Sequence, residues 1–108
     1  MFDHSYDDKT NTLAFIFSGH MDSARSISVT PTIENQIKEH TGAPAVTNKP
    51  LQVVFDLKEV DFISSAFIRI CLMALAKVKA GNLNIQNASP LIKKTIKISG
   101  LENQIKVL

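Results

Sequence analysis

Val60–Ala80 (VDFISSAFIRICLMALAKVKA) constrains this chain more than any other stretch. Just upstream, Leu51–Leu57 (LQVVFDL) is mostly apolar and β-branched, the pattern of a strand covered on both faces. Glu59–Ile63 reads as a short link. Ser64 or Ser65 then suits an N-cap, because a serine hydroxyl accepts a hydrogen bond from an unpaired N–H of the first helical turn. Ala66–Val78 follows without glycine or proline, and Gly81 is placed to end the helix as a left-handed residue would.

That helix has two apolar faces. At about 100° per residue, Phe67, Ile70, Cys71, Ala74 and Val78 fall on one side, with Leu75 at its edge. These are its core face. Ser65, Leu72 and Ala76 fall opposite, flanked by Ile68, Arg69 and Met73. A solvent face is normally charged, and this one carries a single arginine. Either the chain buries the helix on both sides, or the second face docks a partner with a serine at its end.

The rest of the chain punctuates clearly. Phe2–Tyr6 is a weak strand, Asp7–Asn11 a turn and Thr12–Ser18 a strong strand, together an opening antiparallel hairpin. Gly19–Asp22 leaves that strand. Thr30-Pro31 resembles a cap followed by a first-turn proline, and Val29, Ile33 and Ile37 form a stripe, which places a helix at Pro31–His40. Ser23–Val29 reads as irregular or an earlier turn, and Thr41–Pro50 as a loop. After the main helix, Leu83–Gln86 is a second buried strand. Ser89-Pro90 opens a short helix over Leu91–Ile98, with Ile92 and Ile96 inward and Ile98 a third candidate. Gly100 stops it, and Ile105 and Val107 alternate in a tail that suits a last short strand. The order β-β-α-β-α-β-α-β implies one α/β domain over residues 1–108 with a mixed sheet.

Composition narrows the function. A chain of 108 residues can bury a core without disulfides or metal. The net charge of +2 comes from 12 basic and 10 acidic residues with no basic run, which disfavours direct nucleic-acid binding. Lys93, Lys94 and Lys97 are the densest basic group, at the spacing of a solvated helix face. Cys71 lies on the core face, where a small buried hydrophobe is expected. His4, His20 and His40 have no metal-ligand spacing with it. Met1–His4 has no signal-peptide pattern and no stretch is long enough to span a membrane, so a cytoplasmic protein without membrane insertion is expected. No nucleophile elbow or phosphate loop occurs. Asp22, Asp56, Glu59 and Asp61 could cluster at strand ends, but neither an enzyme nor a cofactor is expected. Ser65 at a helix N-terminus is different: a phosphate there suits the helix dipole and would put about −1.5 to −2 charge at the end of the outer apolar face.

Three stretches carry a family resemblance. Phe17–Asp22 (FSGHMD) is similar to the Leu-x-Gly-x-Leu-Asp that ends the second strand of STAS domains, as found in bacterial anti-sigma-factor antagonists. Val53–Ile70 resembles that family's buried strand, serine-containing link and central helix. Asn87–Pro90 through Ser99–Leu101 resembles the start and end of its last helix. Each stretch alone is weak, and the ordered set is specific.

The resemblance implies an α/β STAS-like sandwich: a mixed β-sheet with helices packed mainly on one face, and an opening β-hairpin. It implies a regulatory protein that binds an anti-sigma factor which is also a serine kinase, is released from it by serine phosphorylation, and is reset by a phosphatase. Ser65 matches the phosphorylated serine. Ser64, Ile68, Arg69, Leu72, Met73 and Asp22 are the expected partner-binding residues. The alternative within the resemblance is a non-phosphorylated STAS subunit of a transporter-associated or stress-sensing complex. Three departures stand out. Ser64 occupies a position often held by aspartate. Phe67 stands where the family usually has glycine, so its ring either fills the core or crowds an approaching kinase. Ser23–Pro50 is longer than the usual helix and turn.

Overall fold

The structure is a computed structural model that describes residues 2–42, 50–78, 82–101 and 103–107. Strands β1 (Phe2–Asp7) and β2 (Thr12–Met21) form the opening hairpin. Its turn ends on Asn11 at φ 52°, a left-handed conformation that asparagine tolerates. The buried Asn11 side chain accepts a 2.6 Å hydrogen bond from the Tyr6 hydroxyl, and its carbonyl accepts one from the Gln52 amide at 2.9 Å. The turn is thereby tied to the next strand.

The remaining elements are α1 (Ser23–Gly42), β3 (Gln52–Ile63), α2 (Ser65–Val78), β4 (Leu83–Gln86), α3 (Pro90–Ile98) and β5 (Lys106–Val107). They confirm the expected order. The five strands lie in sequence order, with β1–β2 antiparallel and every later pair parallel. One face of the sheet carries the core. Leu13, Phe15 and Phe17 of β2, Val53, Phe55 and Leu57 of β3, and Leu83 and Ile85 of β4 are buried there in one cluster with residues of all three helices. On the other face Ala14, Val54, Asp56, Asn84 and Gln86 are only half-buried, and Ile16 is exposed. The helices therefore cover one face. The two-sided burial expected for Leu51–Leu57 does not occur: Gln52, Val54 and Asp56 alternate with its buried residues, as on a one-sided sheet.

Both long strands outrun their sequence signals. β2 continues through Gly19–Met21, and β3 absorbs Glu59–Ile63, read above as a link. The ladder shifts register between Ile16 and Ser18 and again between Gly19 and His20. Each shift breaks the two-residue alternation that marks a strand. Gly19 sits at φ 81°, and a Cβ there would run into the Arg25 guanidinium, which donates to the Ser18 carbonyl at 3.1 Å.

Helix α1 is one helix, which corrects the reading of Ser23–Val29 as irregular. Asp22 supplies its cap: its carboxylate accepts from the Arg25 amide and its carbonyl from the Ser26 amide, both at 2.9 Å. Pro31 lies inside the helix on the exposed side, where the carbonyl it leaves unpaired can face water. Ile33 and Ile37 are buried as expected, and the buried Ser26 continues their stripe two turns earlier in the same helix. Gly81, and most of the loop expected over Thr41–Pro50, lie outside the described residues; Thr41 and Gly42 belong to α1.

Helix α3 starts as expected, with Ser89 accepting from the Ile92 amide at 3.3 Å and Pro90 in the first turn. It ends before Gly100, at φ 83°. Ile92 and Ile96 are buried, but Ile98 is not. It is 76% exposed, because two residues beyond Ile96 a helix has turned about 200°.

Candidate functional site

The candidate site forms where β2 and β3 end side by side, Met21 opposite Ile63. The Ser64 amide donates to the Met21 carbonyl at 3.0 Å, so the start of α2 is fastened to the sheet. The Ser64 carbonyl then accepts from the Phe67 and Ile68 amides at 3.1 and 3.2 Å, and its Oγ receives a long 3.4 Å bond from the Phe67 amide. Ser64 is thus the cap of α2. It is half-buried, with its Oγ 3.5 Å from that of the buried Ser26. Ser65 is the first helical residue. It is exposed, and its hydroxyl makes no hydrogen bond among the described residues. The two serines, either of which suited the cap from the sequence, therefore do different work.

Phe67 decides how α2 sits. Its fully buried ring meets Phe17 edge-on at 5.1 Å and Phe55 at 6.0 Å. Of the two fates open to this ring, it fills the core. Ile70, Cys71, Ala74, Leu75 and Val78 are buried with it, as the helical spacing required. Burial pushes the Cys71 thiol up to about 12, so it stays protonated and unreactive near neutral pH.

The outer face of α2 stays open at Ser65, Arg69, Leu72 and Ala76, and Leu72 is 47% exposed. Ile68 and Met73 are half-buried. Helix α1 packs beside α2 and leaves a groove of about 270 Å³ lined by Ile27, Thr30, Glu34, Ala66, Arg69, Ile70 and Met73. Of the six expected partner-binding residues, Ile68, Arg69, Leu72 and Met73 lie on this helix. Ser64 caps it, and Asp22 caps the neighbouring helix with its carboxylate engaged.

Two exposed apolar residues near the site were missed by sequence reasoning. Ile27, 66% exposed, forms part of the groove wall. Its signal was the helical spacing Ile27, Thr30, Glu34, hidden once Ser23–Val29 was taken as irregular. Phe62, two residues before Ser64, is 40% exposed and stacks on His20 with ring centroids 4.3 Å apart. The Nδ1 of His20 lies 3.3 Å from the Asp61 carboxylate. Asp56 instead accepts from the Asn87 side chain at 3.0 Å. Among the described residues no group of three or more histidine, cysteine or acidic side chains could hold a metal ion.

The comparisons with known proteins agree with this fold. The STAS domain family model matches residues 5–108, and the chain belongs to that family. No curated protein sequence matches. The unphosphorylated form of the anti-sigma factor antagonist SpoIIAA superposes with a TM-score of 0.71 at 16% identity, covering 100% of this chain and 87% of that one. The phosphorylated form of SpoIIAA from Bacillus gives 0.69 at 19% identity, covering 100% and 91%. A putative anti-sigma factor antagonist from Thermotoga maritima gives 0.78 at 8% identity, covering 98% and 84%. At these identities the likeness is one of fold. No helix among the described residues is long and apolar enough to cross a membrane.

Proposed function

We propose that this domain is a partner-switching regulator of the anti-sigma-factor-antagonist type, cytoplasmic and without catalytic activity of its own. Its partner is an anti-sigma factor that is also a serine kinase, and a phosphatase reverses the modification. Ser65 is the phosphoacceptor. Ile68, Arg69, Leu72 and Met73 form the docking face, with Ser64 and Asp22 at its end. The observation that carries this reading is the division of labour in the serine pair: Ser64 is tied into the cap, while Ser65 offers an exposed hydroxyl at the end of the same open face.

The physical consequence is a switch that spares the fold. A phosphate on Ser65 meets the positive end of α2, worth about 0.3–1 kcal/mol within the domain. Arg69 follows one turn later on the same side of the helix and gives that phosphate a cation. At an interface the phosphate must instead be desolvated, which costs several kcal/mol and exceeds what one apolar contact returns. A hundredfold loss of affinity, about 2.7 kcal/mol, is expected. Incubation with the cognate kinase and ATP, followed by mass spectrometry, should find the phosphate on Ser65. Ser65→Ala should bind constitutively and Ser65→Asp weakly. Phosphate on Ser64, or normal binding by Ser65→Asp, would overturn the switch.

A further inference from the structure

Helix α3 takes no part in that site, yet it has an unusual surface. Its nine residues, PLIKKTIKI, hold three lysines and no acid, and no acidic residue occurs from Pro90 through Leu101. Ile92 and Ile96 anchor it in the core. Leu91 and Ile98 are 65% and 76% exposed and stand seven residues apart, hence on one face two turns apart, with Lys94 between them. Lys93 and Lys97 form the flank beside them. None of the three lysines forms a salt bridge among the described residues. Asp56 of the neighbouring strand β3 is engaged by Asn87. Between Pro90, Lys93, Lys94, Lys97 and Val107 of β5 lies an open cleft of about 450 Å³.

We propose that this face of α3 docks on an anionic lipid bilayer surface. The lysines meet the headgroup phosphates, the cleft beside β5 accommodates a headgroup, and Leu91 and Ile98 enter the acyl boundary. The charge favours an anionic counterpart, and the apolar pair selects among such counterparts. A nucleic-acid backbone has no use for two exposed aliphatic chains. A protein interface is enriched in aromatic residues and arginine and depleted in lysine, and this face has three lysines and neither of the others. Lysine flanking exposed leucine and isoleucine is instead the composition of a helix lying at a membrane interface. Binding by so short a helix is weak and reversible.

The test is sedimentation with phosphatidylcholine vesicles, with or without about one-third phosphatidylserine. Binding is expected on the anionic vesicles only, and should be lost in high salt. Each lysine replaced by glutamine should weaken it about fivefold. Lys93→Glu/Lys94→Glu/Lys97→Glu should abolish it, and Leu91→Ser/Ile98→Ser should weaken it on the same vesicles. Lys94→Gln alone keeps the test readable if the triple variant misfolds. Absence of binding, equal binding to pure phosphatidylcholine, or indifference to these substitutions would overturn the proposal. So would competition by polyglutamate or duplex DNA with no effect of Leu91→Ser/Ile98→Ser, which would mark a plain cationic face. A dimer lost in Leu91→Ser/Ile98→Ser would assign the face to a second copy of the chain.

Discussion

Helices α2 and α3 both begin at a capping serine and both turn an apolar stripe inward, yet they present different surfaces to the outside. The α2 face offers Arg69, Leu72 and Met73, with Phe62 just before its cap, and no lysine before Lys77. The α3 face offers lysines with isolated aliphatic chains and no aromatic ring. Their anchoring differs as well. Six buried residues hold α2, and two hold α3. The first is a rigid platform suited to a shaped partner; the second is a lightly held helix suited to a surface without shape. Substitutions can separate the two.

The largest effect is expected beneath α2. Phe67→Ala should cost about 3–5 kcal/mol, because it empties a site enclosed by Phe17 and Phe55 that neither ring can refill without moving. Chemical denaturation measures this. A loss under about 1 kcal/mol would mean that the aromatic cluster does not define the platform.

On the exposed side, Leu72→Asp should lower partner affinity a hundredfold or more and leave the melting temperature nearly unchanged, since its side chain is about half in water. It should not change vesicle binding, and Leu91→Ser/Ile98→Ser should leave partner binding intact. Crossed effects would mean that the two faces are one surface. A large fall in melting temperature for Leu72→Asp would show that the residue is core.

Cys71, on the inner face directly behind Leu72 in sequence, gives a smaller effect. Cys71→Ser should cost about 1–3 kcal/mol, because a buried hydroxyl there has no assured partner, and should alter binding no further. The thiol's folded pKa is raised to about 12 from its ordinary 9.0. Folding therefore favours the protonated form. The stability it contributes is full below about pH 9 and declines as pH rises toward 12, by at most about 1.4 kcal/mol per pH unit. Urea unfolding of wild type should weaken more steeply over that range than that of Cys71→Ala. Rapid labelling of Cys71 by a thiol reagent in the folded protein would contradict its burial.

How far the sequence spoke depended on whether a region kept one periodicity. The inner face of α2 was legible residue by residue, because thirteen uninterrupted residues after the serines held one helical phase. The hairpin, β4 and the start of α3 carried turn and cap residues of unambiguous chemistry. The ends of β2 and β3 were hidden because bulges break the alternation there, and Phe62 was lost with them. The first half of α1 was hidden because Pro31 mimics a helix start, while the true cap, Asp22, sits at the end of a strand. The choice between Ser64 and Ser65 needed the Met21 carbonyl, a contact between distant parts of the chain.

The smallest expected effect returns to the two capping serines. Ser64 and Ser89 each accept one long bond, from Phe67 N at 3.4 Å and Ile92 N at 3.3 Å. Removing either hydroxyl should cost about 0.5–1 kcal/mol of global stability, the low end for a cap, because the backbone carbonyl bonds remain. The local consequences should differ. Without its hydroxyl, Ser64→Ala still holds the first turn of α2 through the hydrogen bond its backbone N–H donates to the Met21 carbonyl, and Phe67 is buried three residues on. Ser89→Ala leaves a helix with two core residues and no comparable tie among the bonds of its first turn. Native-state hydrogen exchange should therefore show the first turn of α3 opening in Ser89→Ala, with α2 remaining closed in Ser64→Ala. Equal opening at both ends would remove the distinction between an anchored platform and a lightly held surface helix. Opening at α2 alone would reverse it.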